Sequence, residues 1–345
     1  MPSRRLLTWS IALIAIIAAV GYRSVVFRTP APPPRPRVAF VTAGSGPYWQ
    51  ITAHGARSAA REQDVDLKIE MPPDDENLDE QLLILTHLNV DNLDGVAVSP
   101  IDADGQTHLI NRLVDKVNVV TFDSDAPLSN RQSHVGTSNF SAGRTCARMV
   151  AAAIPDGGEI AVFLANLTKE NMIDRRGGFQ ERIHQMADDD GSAASPRYTI
   201  IGFFEDNGSD EVCADNIRNV LADHPNVACL VGMNARHGPI LLRVLAEKDK
   251  LDQVKLVTFD EADETLDGIA AGHIYATVAQ DPYKYGYEAV SQLATLCRGN
   301  GIELPIVGRG SVYVGAEAIR QENLADFRAR LQARRNAAGN DEDSP

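Results

Sequence analysis

From Val38 onward the chain alternates short apolar runs with longer stretches whose apolar residues recur every three or four positions. "VAFVTA" predicts a strand. "PYWQITAHGARSAAREQD" after it predicts a helix opened by Pro47, a residue suited to a first helical turn. "VDLKIEM", "DGVAVSP" and "VNVVTF" predict three further strands. Between them stand the helices "NLDEQLLILTHLNV", with Leu78, Leu82, Leu85 and Leu88 on one face, and "QTHLINRLVDK". The alternation then restarts. The runs "GEIAVFLA", "RYTIIGFF", "VACLVGMN", "VKLVTF" and "IYATVAQ" read as strands. Around them "AGRTCARMVAAAI", "RRGGFQERIHQM", "DEVCADNIRNVLADH", "GPILLRVLAEK", "TLDGIAAG" and "PYKYGYEAVSQLATLCRG" read as helices. Alternating strands and helices predict parallel sheets covered on both faces. The restart predicts an α/β protein of two doubly wound lobes of similar plan.

A repeated phrase ties the two halves together. "VVTFDSDA" at 119–126 and "LVTFDEAD" at 256–263 each end an apolar run in Thr, Phe and an acid. Asp123 and Asp260 therefore stand at the same point of two strands.

The ends of the chain differ from its body. Leu6–Val20 is an apolar run behind Arg4 and Arg5, read as a signal-peptide core or a short membrane anchor within residues 1–28. Residues 29–37, "TPAPPPRPR", predict an extended polyproline linker. Four Arg follow the apolar run and two precede it, which opposes export. The Pro-rich stalk favours it, and the expectation is a periplasmic or extracytoplasmic protein, anchored if at all by residues 6–27. Beyond Val314 the charged stretch 316–345 reads as a solvated tail, with Leu324, Phe327 and Leu331 able to line one side of a helix.

Charge narrows the partners. Of 33 Lys and Arg, six precede residue 38, and none of the 47 Asp and Glu does. The remainder carries 27 basic against 47 acidic residues, a net charge of −20. Such a body is repelled by phosphate backbones, so nucleic acid is not expected as a partner. Cys146, Cys213, Cys229 and Cys297 form no CxxC and no zinc spacing and read as free thiols. The eight His show no metal spacing. No cofactor and no metal are expected.

Ligands of open parallel sheets sit beyond the carboxyl ends of the strands. There the chain places Thr42, Tyr48, Trp49, Ser99, Asp123, Ser124 and Asp125 in the first half. The second half contributes Arg175, Asn207, Asn234, Asp260 and Gln280. Carboxylates accept from adjacent hydroxyls, guanidinium donates from a rigid fork, and aromatic faces cover the C–H side of a sugar ring. The set suits a polyhydroxylated ligand and shows no cationic phosphate cradle. Each member also has a plainer role. Asp after a strand often caps a helix, Tyr48 and Trp49 could be core, and Arg175, read as opening its helix, could pair on the surface.

Taken in order, "GPYWQITAHGARSAARE", "LDGVAVSPIDAD", "NVVTFDSDAP", "VGTSNFSAGR", "DRRGGFQERI", "LADHPNVACLVGMNARHG", "KLVTFDEAD" and "ATVAQDPYKYG" resemble the periplasmic sugar-binding proteins of the ribose-binding type. These share a two-lobed fold with lactose-repressor-type regulators. The resemblance spans about Val38 to Val314. It implies that Tyr48 and Trp49 sandwich a sugar and that Asp123, Arg175, Asn234, Asp260 and Gln280 bind its hydroxyls. It also implies a ligand cleft between the two lobes, closing on the ligand, with three crossings near Thr137–Phe140, Ala279–Pro282 and Val307–Gly310. The lobes are then 38–137 plus about 281–307, and 138–280 plus about 308–315. Two departures count against ribose itself: Gly46 stands where the pattern has Asn, and Ser124 where it has Arg. No helix-turn-helix precedes Val38, which sets the expectation against the regulator branch.

The expected function is a non-enzymatic, monomeric receptor. It would bind a monosaccharide or polyol and deliver it to the permease of an ABC-type importer. The alternative is a membrane-tethered sensor feeding a signalling receptor. A sugar hydrolase or isomerase using Asp123 and Asp260 as an acid/base pair ranks below both, since no nucleophile, metal cluster or catalytic motif accompanies them.

Overall fold

The computed structural model describes residues 9, 13, 17, 35–188, 197–299 and 310–342. Residues 1–34 form a unit of their own, in which Trp9, Leu13 and Ile17 are helical and exposed. The rest of the Leu6–Val20 segment and of the linker up to Pro34 lies outside the described residues. No helix among the described residues is long and apolar enough to cross a membrane.

The second unit, from Arg35 on, is built on two six-stranded sheets. In the first, β1 (Arg37–Val41), β2 (Asp66–Glu70), β3 (Gly95–Val98), β4 (Asn118–Phe122), β5 (Ser133–Gly136) and β11 (Ser311–Tyr313) lie in the order β11-β5-β4-β3-β1-β2. The second contains β6 (Gly158–Leu164), β7 (Tyr198–Glu205), β8 (Val227–Gly232), β9 (Lys255–Phe259), β10 (Ala276–Ala279) and β12 (Glu317–Ile319). Its order, β12-β10-β9-β8-β6-β7, repeats the plan of the first. All pairings are parallel except β10 with β12. Apolar side chains bury both faces of each sheet, with Phe40 and Val98 on opposite faces of the first and Phe163 and Phe259 on opposite faces of the second. This is the doubly wound, two-lobed architecture expected from the alternation.

The chain passes between lobes at 137–138, at 280–281 and at 314–316. After β5 it enters α4 (Asn139–Ala153), which packs on the second sheet. After β10 it enters α9 (Pro282–Cys297), which packs on α1 (Pro47–Glu62) of the first lobe. The third passage joins β11 to β12. It therefore lies beyond the expected Val307–Gly310, because Ser311–Tyr313 pairs with His134–Gly136 in the first sheet. Residues 307–309 lie outside the described residues. The tail expected over 316–345 is also corrected. Glu317–Ile319 pairs with Ala279–Thr277, and α10 (Leu324–Glu342) sinks Leu324, Phe327 and Leu331 into the second-lobe core. Three apolar residues on one helix side were enough to dock it.

Each lobe also has a helix pair drawn together by glycine. A Cβ on Gly55 of α1 would meet the Tyr283 carbonyl at 1.9 Å, and one on Gly286 of α9 would meet the Thr52 carbonyl at 1.9 Å. In the second lobe α4 meets α5 (Glu170–Asp188), and a Cβ on Gly143 would stand 2.1 Å from the Arg175 carbonyl. Gly143→Ala gains about 0.5–1 kcal/mol of helix propensity and loses more to overpacking. The net expectation is a destabilisation of about 1–2 kcal/mol, read as a lower denaturant midpoint with unchanged slope. An unchanged midpoint would mean that α4 and α5 separate freely.

Candidate functional site

The repeated phrase has a backbone counterpart. Asp123 and Asp260 are the first residues after β4 and β9, and both are left-handed, with φ of 61° and 65°. Each backbone N–H donates to the neighbouring strand, Asp123 to Val135 at 2.9 Å and Asp260 to Val278 at 3.0 Å. A left-handed non-glycine residue is uncommon, though Asp tolerates it better than most. The turn aims one carboxylate from each lobe at the cleft.

Between the lobes lies a cavity of about 70 Å³. Its lining includes Tyr48, Trp49 and Asp123 from the first lobe and Arg175, Asn234, Asp260 and Gln280 from the second lobe and its crossing. Asp123 is buried but well supplied with donors. Its Oδ1 accepts from the Tyr48 hydroxyl at 2.7 Å, and its Oδ2 from Ser99 at 3.1 Å and Asn171 Nδ2 at 3.3 Å. Asp260 accepts from Gln280 Nε2 at 2.7 Å. Burial pushes its carboxyl up, against the pull of the Arg175 charge and the Gln280 hydrogen bond.

Arg175 is the largest fully buried side chain among the described residues, 1% exposed. It donates to Asn139 Oδ1 at 2.8 Å, to the Met233 carbonyl at 2.6 Å and to Gln280 Oε1 at 3.0 Å. Its guanidinium lies 4.5 Å from the centre of the Phe259 ring. The residue sits in the second turn of α5, which begins at Glu170, rather than opening the helix. Gln280 thus holds Arg175 with its oxygen and Asp260 with its nitrogen, from a segment that is itself a lobe crossing.

Five expected residues fall elsewhere. Thr42 donates to the Gly44 carbonyl at 2.6 Å and is wholly buried. Ser99 reaches the site only through Asp123. The Ser124 hydroxyl is buried without a partner. Asp125 turns away to Arg131 and accepts from Thr121 at 2.7 Å. Asn207 is an exposed turn residue, φ 50°, whose N–H donates to the Ala165 carbonyl at 2.7 Å. Nor do Tyr48 and Trp49 form parallel walls. Neighbours on one helix, their rings meet edge to face at 85°, and Trp49 is largely core, 4% exposed.

The sequence reading missed the loop after β6 and the turn after β2. Asp75, Glu76, Lys169, Asn171, Met172 and Arg236 all line the cavity. Lys169 adds a cation to the cavity beside Arg175 and Arg236. Its Nζ reaches across the cleft to Glu76 at 2.7 Å, lies 3.9 Å from Asp123 and stands over the Trp49 ring at 5.3 Å. Burial pushes its ammonium down, but Glu76 and Asp123 outweigh burial and hold it above the usual range. The Thr168 hydroxyl donates to the Ile101 carbonyl at 3.4 Å, and the Ala103 N–H donates to the Thr168 carbonyl at 3.1 Å, both across to the first lobe. The lobes are therefore closed on one another. The carboxyl-end rule would have flagged "NLTKEN", which follows "VFLA".

Toward solvent the cavity opens, past Tyr48, Asp75, Arg236 and Asp260, into a groove of about 660 Å³. Among the described residues, one set of three metal-ligand types converges: Asp206, Cys213 and His237. The Met233 N–H donates to His237 Nδ1 at 3.0 Å, so Nε2 carries the hydrogen toward Asp206 at 2.7 Å. A metal on Nε2 would require Nδ1 to donate instead. The set reads as a hydrogen-bond network tying the end of β7 to the start of α7 (His237–Glu247).

Comparison with known proteins matches the sequence and the two-lobed fold. The sequence profile of the periplasmic binding protein domain covers residues 38–301. The D-allose-binding periplasmic protein of Escherichia coli is 23% identical over 252 residues, 70% of this chain and 78% of that protein. GanP, a glucose-galactose binding protein from Geobacillus stearothermophilus, superposes with a TM-score of 0.77 at 27% identity, covering 84% of this chain and 99% of GanP. The structure of a XylFII-LytSN complex matches with a TM-score of 0.73 at 23% identity, over 84% of this chain and 99% of that one.

Proposed function

This chain belongs to the periplasmic binding protein family, and from that premise we propose that it is an exported receptor for a monosaccharide or related polyol, serving an ABC-type importer. The observation that carries the reading is the paired grip. Asp123 and Asp260 present one acceptor from each lobe to a single cavity, beside Arg175 and Gln280 as donors. A ligand that bridges the lobes selects the closed form, and the closed form is what a membrane partner can recognise. Sugars named for relatives, D-allose and glucose-galactose, support the ligand class.

A thermal-shift screen across pentoses, hexoses and polyols tests it. A true ligand at 100 times its Kd adds about 2.7 kcal/mol of stability and should stand out from the rest. Uniform melting across the panel would overturn the reading. A sugar consumed during the assay, seen by product analysis, would move the protein to an enzymatic class.

The second reading, a tethered sensor, is supported by the apolar N-terminal run with its stalk and by the likeness to the XylFII-LytSN complex. Release of the protein by osmotic shock favours the carrier, and retention with the membrane favours the sensor. A reporter fused after residue 37 reads the compartment, and a cytoplasmic signal would sink both.

A further inference from the structure

Behind Asp123 lies a second chamber between the lobes, of about 300 Å³. Asp123 and Asn171 form the wall it shares with the ligand cavity. Glu170 and Asp174 of α5 line it from the second lobe, and Asp125, Arg131, His134 and Tyr313 from the first. The Asp125 carboxylate is answered by Arg131 and Thr121. Glu170 and Asp174 are not. They stand four residues apart on one helix, where like charges repel, and neither makes a hydrogen bond or ion pair among the described residues. Burial pushes both carboxyls up, and Asp125 across the cleft adds to it.

A second, independent feature points the same way. Asn171 is 4% exposed, and its Oδ1 has no partner while its Nδ2 serves Asp123. A buried acceptor left open is costly, and a donor from a bound group would relieve it. The wall shared with the ligand cavity thus carries an open amide oxygen, and beyond the paired Asp125 and Arg131 the chamber adds two unanswered carboxylates that ask for donors. The spacing disfavours a metal ion: the carboxylate oxygens of Asp125, Glu170 and Asp174 do not converge on one point, whereas a compact ion needs oxygens at about 2–2.6 Å. Spread acceptors suit a planar cation with several N–H groups. Tyr313, half-exposed, adds an aromatic ring to the lining.

We propose that this chamber is a second binding site, for the guanidinium or ammonium head of an organic cation. Both lobes wall it, so an occupant favours closure. The shared Asn171–Asp123 contact then couples it to the ligand cavity, and each ligand tightens the other.

The test uses the full chain without sugar, so its failure is separable from failure of the sugar reading. Agmatine and putrescine are titrated by calorimetry, with calcium chloride as a third arm. The expected result is saturable one-site binding of agmatine, tighter than calcium and weakened by salt. Glu170→Gln with Asp174→Asn should weaken it at least about ten-fold. The same pair should leave the unliganded melting point unchanged or higher, since a repulsion is removed. Absence of saturable binding by either amine would overturn the proposal. So would preference for calcium, or agmatine binding indifferent to the double substitution.

Discussion

Arg175→Ala should cost about 3–5 kcal/mol of stability and abolish ligand binding. The substitution removes a guanidinium that is 1% exposed and leaves three acceptors behind it, on Asn139, Met233 and Gln280. Each orphaned acceptor costs about 1–3 kcal/mol where water cannot enter. The cation also offsets the buried Asp260 carboxyl and lies against the Phe259 ring. Arg175→Lys keeps a charge but cannot satisfy three diverging acceptors, so it should recover only part of the loss. Chemical denaturation of both variants, with titration of the sugar found by the screen, checks this. A parental midpoint for Arg175→Ala would mean that the buried network contributes nothing net, and that Arg175 is a ligand-facing group alone.

Arg175 also shows where sequence reading reaches and where it stops. Its presence beyond the β6 strand end was legible, and so were Asp123 and Asp260, because strand period and a repeated phrase fix which residues stand at carboxyl edges. The two-lobed plan followed from the same alternation. What escaped depends on closure. Lys169 and Glu76 are nearly 100 residues apart and meet only when the lobes come together. Neither lies in an apolar pattern that would mark it. Asp125 shares a turn with Asp123, yet only Asp123 lines the ligand cavity, while Asp125 lines the second chamber and pairs with Arg131. One-residue direction changes of this kind leave no periodic trace. The strands β5, β11 and β12 were missed for a simpler reason: β5, "SHVG", has one large apolar residue, and β11 and β12 are three residues each, so none shows an apolar run. The docking of α10 was half visible, as three apolar residues on one side without a stated surface to receive them.

Asp123→Ala and Asp260→Ala should each weaken ligand binding, and their effects should be coupled. The two carboxylates come from opposite lobes, so a bridging ligand needs both to hold the closed form. Losing hydrogen bonds from one charged acceptor costs about 1.5–3 kcal/mol, or about one to two powers of ten in Kd. The two variants should differ in their side effects. Asp123 leaves behind the Tyr48 hydroxyl, Ser99, Asn171 Nδ2 and the Lys169 ammonium, so Asp123→Ala should lower the melting point as well as the affinity. Among the described residues Asp260 accepts a side-chain hydrogen bond from Gln280 alone, and its carboxyl is held up by burial. Asp260→Ala should therefore cost little stability, and its left-handed turn should accept Gly better than Ala. A sugar donating hydroxyls to Asp260 favours the ionised form, so binding should release protons from the parent and not from Asp260→Ala. Titration in buffers of different ionisation enthalpy measures that release. In the double variant the loss should fall short of the sum of the singles by at least about 0.5 kcal/mol, since closure can fail only once. Strict additivity, with no proton release in the parent, would mean that the acids act at separate places. The repeated phrase would then report two copies of one fold and nothing about a shared ligand.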